Sequence, residues 1–211
     1  MGSNSMTERQ SLDIITNMIQ ASKQRLTVTN GNIFLFWGWL CVAVCLLVTV
    51  LLYFFNHPAM NFFFFLIWVV GGAYTERVRR RVAERGEVVT YTDRLSNAIW
   101  AMVGWSALIA TFMCLGFLLI GGKDVWIMMF LFAFIVVGIG AFVQGTVIQE
   151  KCMMLGGGFS MVAGAFITGC LLSGIPLSAY WVYPLFALSF ALMFIVPGYI
   201  IRNKALRDER A

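Results

Sequence analysis

Six apolar stretches, at about 33–55, 59–75, 97–121, 124–147, 153–173 and 178–201, carry no Asp, Glu, Lys, Arg or His away from their ends. A helix crosses the hydrocarbon core of a bilayer in about 20 residues rising about 1.5 Å each. Five of the stretches have that length and the second, 59–75, is nearly long enough. The pattern predicts an all-α, polytopic membrane protein: six transmembrane helices as three hairpins, with a cytoplasmic amphipathic helix in front. Pro58 stands where a helix start tolerates proline, so the second span is expected to begin there and to run on into the charged stretch that follows, stopping at Gly86.

Composition supports this class. Sixty per cent of the 211 residues are hydrophobic, 12% are charged and the mean hydropathy is +0.83, far from the balance of a soluble domain. Residues 1–5, MGSNS, read as a cloning scar ahead of Met6, and no cleavable signal follows. The expected organisation is an amphipathic helix within 6–30, a membrane domain over 31–201 and a basic tail over 202–211.

The net charge of +5 is informative by position. If the stretches alternate in direction, 14 of the 15 Lys and Arg residues fall on one side and only Lys123 on the other. The positive-inside rule then puts both termini in the cytoplasm. Trp37, Trp39, Trp100, Tyr74 and Tyr199 near the inner face, and Tyr53, Trp126, Tyr180, Trp181 and Tyr183 near the outer one, read as interfacial anchors.

Residues 7–26, TERQSLDIITNMIQASKQRL, pair a Thr7–Gln10 capping-box spacing with Leu12, Ile15, Ile19 and Leu26 at steps of three, four and seven. An apolar face outside the membrane needs a cover, so these four residues are the expected docking face. Their cover is the end of the protein's own bundle, a second copy of the chain in a homo-oligomer, the lipid surface, or a separate cytoplasmic protein. Arg77, Arg79, Arg80, Arg81 and Arg85, in TERVRRRVAERGEVVTYTDR (75–94), are expected to fix the topology and meet lipid headgroups. The interleaved Glu76, Glu84, Glu87 and Asp93 argue against nucleic acid.

The three hairpins share a loose pattern. Gly38, Gly104 and Gly158 each precede an aromatic, and Gly71, Gly145 and Gly198 each lead to a base at an inner end. This is either a threefold repeat about the membrane normal or chance in a glycine-rich chain.

Chemistry is sparse. No ionisable group lies at membrane depth for a proton-coupled transporter, pump or voltage sensor to use. GFSM (158–161) has the look of the serine motif of rhomboid proteases, but the only histidine, His57, falls at the opposite side of the membrane from Ser160, so no catalytic pair is expected. Gly156, Ser160, Gly164 and Thr168 instead form a small-residue face for close helix packing. The fifth span is therefore expected to be the most buried or an oligomer contact. Gln144, Ser106, Thr111 and Ser189 are expected to bond neighbouring helices. The five cysteines, an odd number spread through the spans, imply no disulfide framework. No cofactor, metal or enzymatic activity is expected.

RQSLDIITNMIQASK (9–23), WGW (37–39), TYTD (90–93), MLGGG (154–158) and IVPGYIIRNK (195–204) together resemble a family of small bacterial inner-membrane proteins that open on an ESL-II--MI--AK helix. Gln10 replaces the acid of that pattern, which removes one charge from the helix. The resemblance brings no established activity. It implies a cytoplasmic partner, a small winged-helix transcription regulator with which members are often paired. The function expected is a non-enzymatic interaction or regulatory module; the alternative is a passive carrier or channel for a small apolar or amphipathic solute.

Overall fold

The computed structural model describes residues 28–208 except 56, 85–90 and 123–124. The docking face at Leu12, Ile15, Ile19 and Leu26, together with Arg85 and Gly86, lies outside the described residues. The elements are α1 (Val28–Phe55), a 3-10 helix (Pro58–Phe64), α2 (Phe65–Glu84), α3 (Tyr91–Gly121), α4 (Ile127–Ile148), α5 (Lys151–Leu172), α6 (Ala179–Phe190), a π-helical turn (Ala191–Ile195) and α7 (Val196–Asp208). The last three form one continuous rod. The described residues contain no strand. Among the described residues, five helical segments are long and apolar enough to cross a membrane: Gly31–Phe55, Tyr91–Gly121, Ile127–Ile148, Lys151–Leu172 and Tyr180–Arg207.

The expected second α-helix departs from the pattern, because its first seven residues, Pro58–Phe64, are 3-10. A 3-10 helix stacks residues i and i+3 on one side, and two such pairs have partners here. The Tyr183 hydroxyl donates to Asn61 Oδ1 at 2.6 Å while Phe64 packs edge-on against the Tyr183 ring. Phe62 and Phe65 stack on each other and both meet Trp126. An α-helical turn would set the members of each pair about 60° apart around the axis and not in line. Tyr183 is therefore buried rather than an interfacial anchor, unlike the exposed Trp39, Tyr53 and Tyr180.

Small residues set the helix spacing. α1 runs antiparallel to the last rod, with Gly31 against Arg202, Gly38 against Ile195 and Gly198 against Leu35. α4 and α5 are joined by a two-residue turn in which Gln149 takes a left-handed conformation (φ 58°) and its N–H returns to the end of α4. Their glycines then let the backbones touch: a Cβ on Gly157 would stand 2.6 Å from Gly138 O and from Phe142 N. α2 leans on α1, with Gly71 over the Trp37 ring, Phe36 stacked on Tyr74 and Trp37 Nε1 donating to Thr75 Oγ1 at 3.0 Å.

α3 packs on α4, α4 on α5 and α1 on the last rod, while α2 leans mainly on α1. Gly38 is tightly covered, while a Cβ on Gly104 or Gly158 would meet nothing within 4 Å, so the glycines of the loose repeat are not equivalent. The bundle centre is filled by Val48, Phe134, Met153, Ile167, Met193 and Ile201. The rod Tyr180–Arg207 is the more buried of the spans, at 44% against 39% for α5, because it touches α1 on one side and α5 on the other.

Candidate functional site: the charged end of the bundle

Gly31 meets Arg202, Lys204 meets Glu150 and Ser96 meets Gln144. These contacts collect the start of α1, the end of α7, the α4–α5 turn and the start of α3 at one end of the bundle. Every Lys and Arg among the described residues lies at this end. The opposite end, around Phe62, Trp126 and Tyr180, is aromatic.

The arginines ride on α2 where it continues past its apolar part. Arg77, Arg79, Arg80 and Arg81 are all exposed. Glu76 lies three and four residues before two of them, the spacing that brings side chains together on a helix. It accepts from Arg79 Nε at 2.9 Å and from Arg80 Nε at 2.8 Å. Those two hydrogen bonds hold its carboxyl below the usual carboxylate range. Exposed pairs of this kind contribute little to stability. Their effect is geometric, since they draw two of the four arginines together on one side of the helix and leave Arg77 and Arg81 pointing to solvent.

Beneath this end lie polar groups that only the tertiary structure brings together. The Glu150 carboxylate, with its side chain 6% exposed, is paired with Lys204 of α7, which is 55% exposed. The pair ties the α4–α5 turn to the last helix. Gln144, 1% exposed, donates from Nε2 to Ser96 Oγ on α3. One turn further in, Trp100 of α3 lies over Gly140 of α4 and touches Phe34 and Phe194. Gln144 Oε1 and Trp100 Nε1 are buried and have no hydrogen-bond partner among the described residues. Trp100 reads from sequence as a surface anchor. The signal that it turns inward is Gly140, forty residues away, which no local pattern connects to it.

The small-residue face of α5 divides between two neighbours. A Cβ on Gly156 would come within 2.4 Å of Leu192 O in the π turn, whereas one on Gly164 would meet Ile135 and Phe134 of α4. Ser160, fully buried, donates to Phe134 O at 2.8 Å. Thr168 donates to Gly164 O of its own helix and is half-buried. Four residues are about 400° of an α-helix, so a stripe at that spacing turns gradually, which is why its first member faces the last rod and its middle members face α4. Ala165, Gly169 and Ser173, beside the same stripe, are exposed.

Other polar residues of the spans bond the backbone of their own helices: Ser106 to Met102 O and Val103 O, Thr111 to Ala107 O and Ser189 to Leu185 O; Thr111 also reaches Met129 Sδ on the neighbouring α4 at 3.9 Å, as expected of it. Cys41, Cys45, Cys114 and Cys170 are buried thiols, none in a disulfide. Among the described residues no three His, Cys, Asp or Glu side chains are grouped as metal ligands. No protein family, no curated protein and no solved structure shows significant similarity to the chain.

Proposed function

We propose that the chain is a six-span protein of the bacterial cytoplasmic membrane with both termini in the cytoplasm, serving as a non-enzymatic interaction or regulatory module through its N-terminal helix and charged inner end. Five spans are long enough on their own. The sixth is short, and its 3-10 start favours a full crossing: seven residues at about 2.0 Å and ten at about 1.5 Å reach about 29 Å, against about 26 Å if all were α-helical. The collection of Lys and Arg at one end supports placing that end in the cytoplasm.

The observation that carries the module reading is the filled interior. Large apolar side chains close the bundle centre, and the buried Ser160, Ser189 and Glu150 are satisfied within the fold. The rival reading, a passive carrier or channel for a small apolar or amphipathic solute, needs a path through the centre that these side chains occupy. What remains to act is the inner surface: the arginine-bearing extension of α2, membrane lipid headgroups around it, and the docking face of residues 7–26. A cytoplasmic protein, a transcription regulator by the resemblance, or a second copy of the chain would bind there; nucleic acid would not.

The test deletes residues 7–26 and substitutes Arg77 and Arg81 with a photo-crosslinking residue in cells. The reading expects a discrete cross-linked protein that is lost on deletion. Unchanged cross-links together with an altered flux of small solutes into reconstituted vesicles would overturn it.

A further inference from the structure

Gln144 Oε1 and Trp100 Nε1 are an acceptor and a donor, both buried and both without a partner among the described residues. They lie on facing helices one turn apart, since Ser96 is bonded to Gln144 and Trp100 covers Gly140. Leaving such groups unpaired away from water is costly, so a site that keeps both is complementary to a group that can accept and donate at once. A hydroxyl is the smallest group that does so. The surroundings are aromatic: Phe34 and Phe194 lie 6.4 and 5.5 Å from the Trp100 ring, centre to centre.

Two further observations point to a ligand. Phe194 belongs to the π-helical turn Ala191–Ile195, a distortion that recurs at functional sites. Trp100 keeps part of its surface exposed.

We infer that the junction of Ser96, Trp100 and Gln144 with Phe34 and Phe194 is a lateral binding site for a membrane-soluble amphiphile bearing a hydroxyl head, which enters at the exposed side of Trp100. Its hydroxyl donates to Gln144 Oε1 and accepts from Trp100 Nε1, and its chain lies along the aromatic pair toward the bilayer. The site goes beyond the module reading by giving the inner end a lipid-borne ligand to respond to. No solute crosses the membrane through it.

The test uses the full chain in nanodiscs and two photoactivatable probes of equal chain length, a long-chain primary alcohol carrying a diazirine and its methyl ether. The ether accepts from Trp100 but cannot donate to Gln144. Saturable labelling of the α3 and α4 segments around Trp100 and Gln144 is expected, about fivefold tighter for the alcohol, the worth of one net hydrogen bond. Gln144→Leu should erase the difference between the probes, and Trp100→Phe, which keeps a ring but removes the N–H, should weaken both about fivefold. Should Gln144→Leu fail to fold, Trp100→Phe carries the comparison, with a monodisperse elution profile as its check. Equal labelling by alcohol and ether in the unaltered protein, or labelling that never saturates, means that a trapped water completes the two atoms and overturns the proposal.

Discussion

Three consecutive glycines in α5 occupy three different environments, and alanine at each should separate them. A Cβ on Gly157 stands 2.6 Å from Gly138 O and Phe142 N, one on Gly156 stands 2.4 Å from Leu192 O, and one on Gly158 meets nothing within 4 Å. Ordinary contact begins at 3.4 Å, so Gly157→Ala must part α4 and α5 by about 0.8 Å, a gap that forfeits a quarter to a half of each dispersion contact along the crossing. The Ser160–Phe134 hydrogen bond, at 2.8 Å, would stretch to about 3.6 Å and cease to be one, costing about 1 kcal/mol. Overpacking of this sort costs about 1–3 kcal/mol in total, offset by about 1 kcal/mol from alanine's better helix propensity. Gly156→Ala has the same opposing terms against the π turn. Gly158→Ala keeps only the favourable one.

The expected order of stability is therefore Gly158→Ala at or above the unaltered protein, with Gly156→Ala and Gly157→Ala below it by up to about 2 kcal/mol. Thermal unfolding in mild detergent, followed with a thiol-reactive dye, reads this directly, because Cys41, Cys45, Cys114 and Cys170 are buried and react only on opening. Equal effects at all three positions would refute the packing argument, since helix propensity alone treats them alike.

Further outcomes follow from other contacts. Lys204→Met should leave the Glu150 carboxylate buried without its partner and destabilise by about 2–4 kcal/mol, with Glu150→Gln in the same chain recovering most of the loss; the same dye assay measures both. Ser160→Ala removes one buried hydrogen bond and leaves Phe134 O unsatisfied, a loss of about 1–2 kcal/mol in that assay. Glu76, held low by Arg79 and Arg80, contributes stability that is present above the carboxylate's unfolded value and lost as pH falls through its lowered folded value. A carboxyl resonance titrating below the usual range, and returning to it in Arg79→Gln/Arg80→Gln, checks the cause. Cysteines introduced at Arg81 and at Asn61 should react with impermeant maleimide from opposite sides of sealed vesicles.

The uninterrupted apolar stretches made the helical membrane class legible, because a backbone in lipid has few ways to bond itself. Their ends were legible to within a few residues wherever a glycine or a charge marks a break, as at Gly121 and at the turn of Gln149 and Glu150. The 3-10 start of the second span was not, since it depends on Tyr183 and Trp126 presenting partners at an i, i+3 spacing. Nor was the division of Gly156 and Gly164 between two neighbours, which depends on how α5 is rotated within the bundle.

The sequence by itself determined the all-helical membrane class and the gathering of basic residues along alternate connections, because both follow from transfer of side chains and charge into lipid, residue by residue. Only the tertiary structure decided that Trp100 turns inward, that Glu150 meets Lys204, and that α1 runs along the last rod. Between helices in lipid there is no hydrophobic force to sort partners. The choice falls to steric fit and to a few hydrogen bonds between residues far apart in the chain, and these come together only when the helices do.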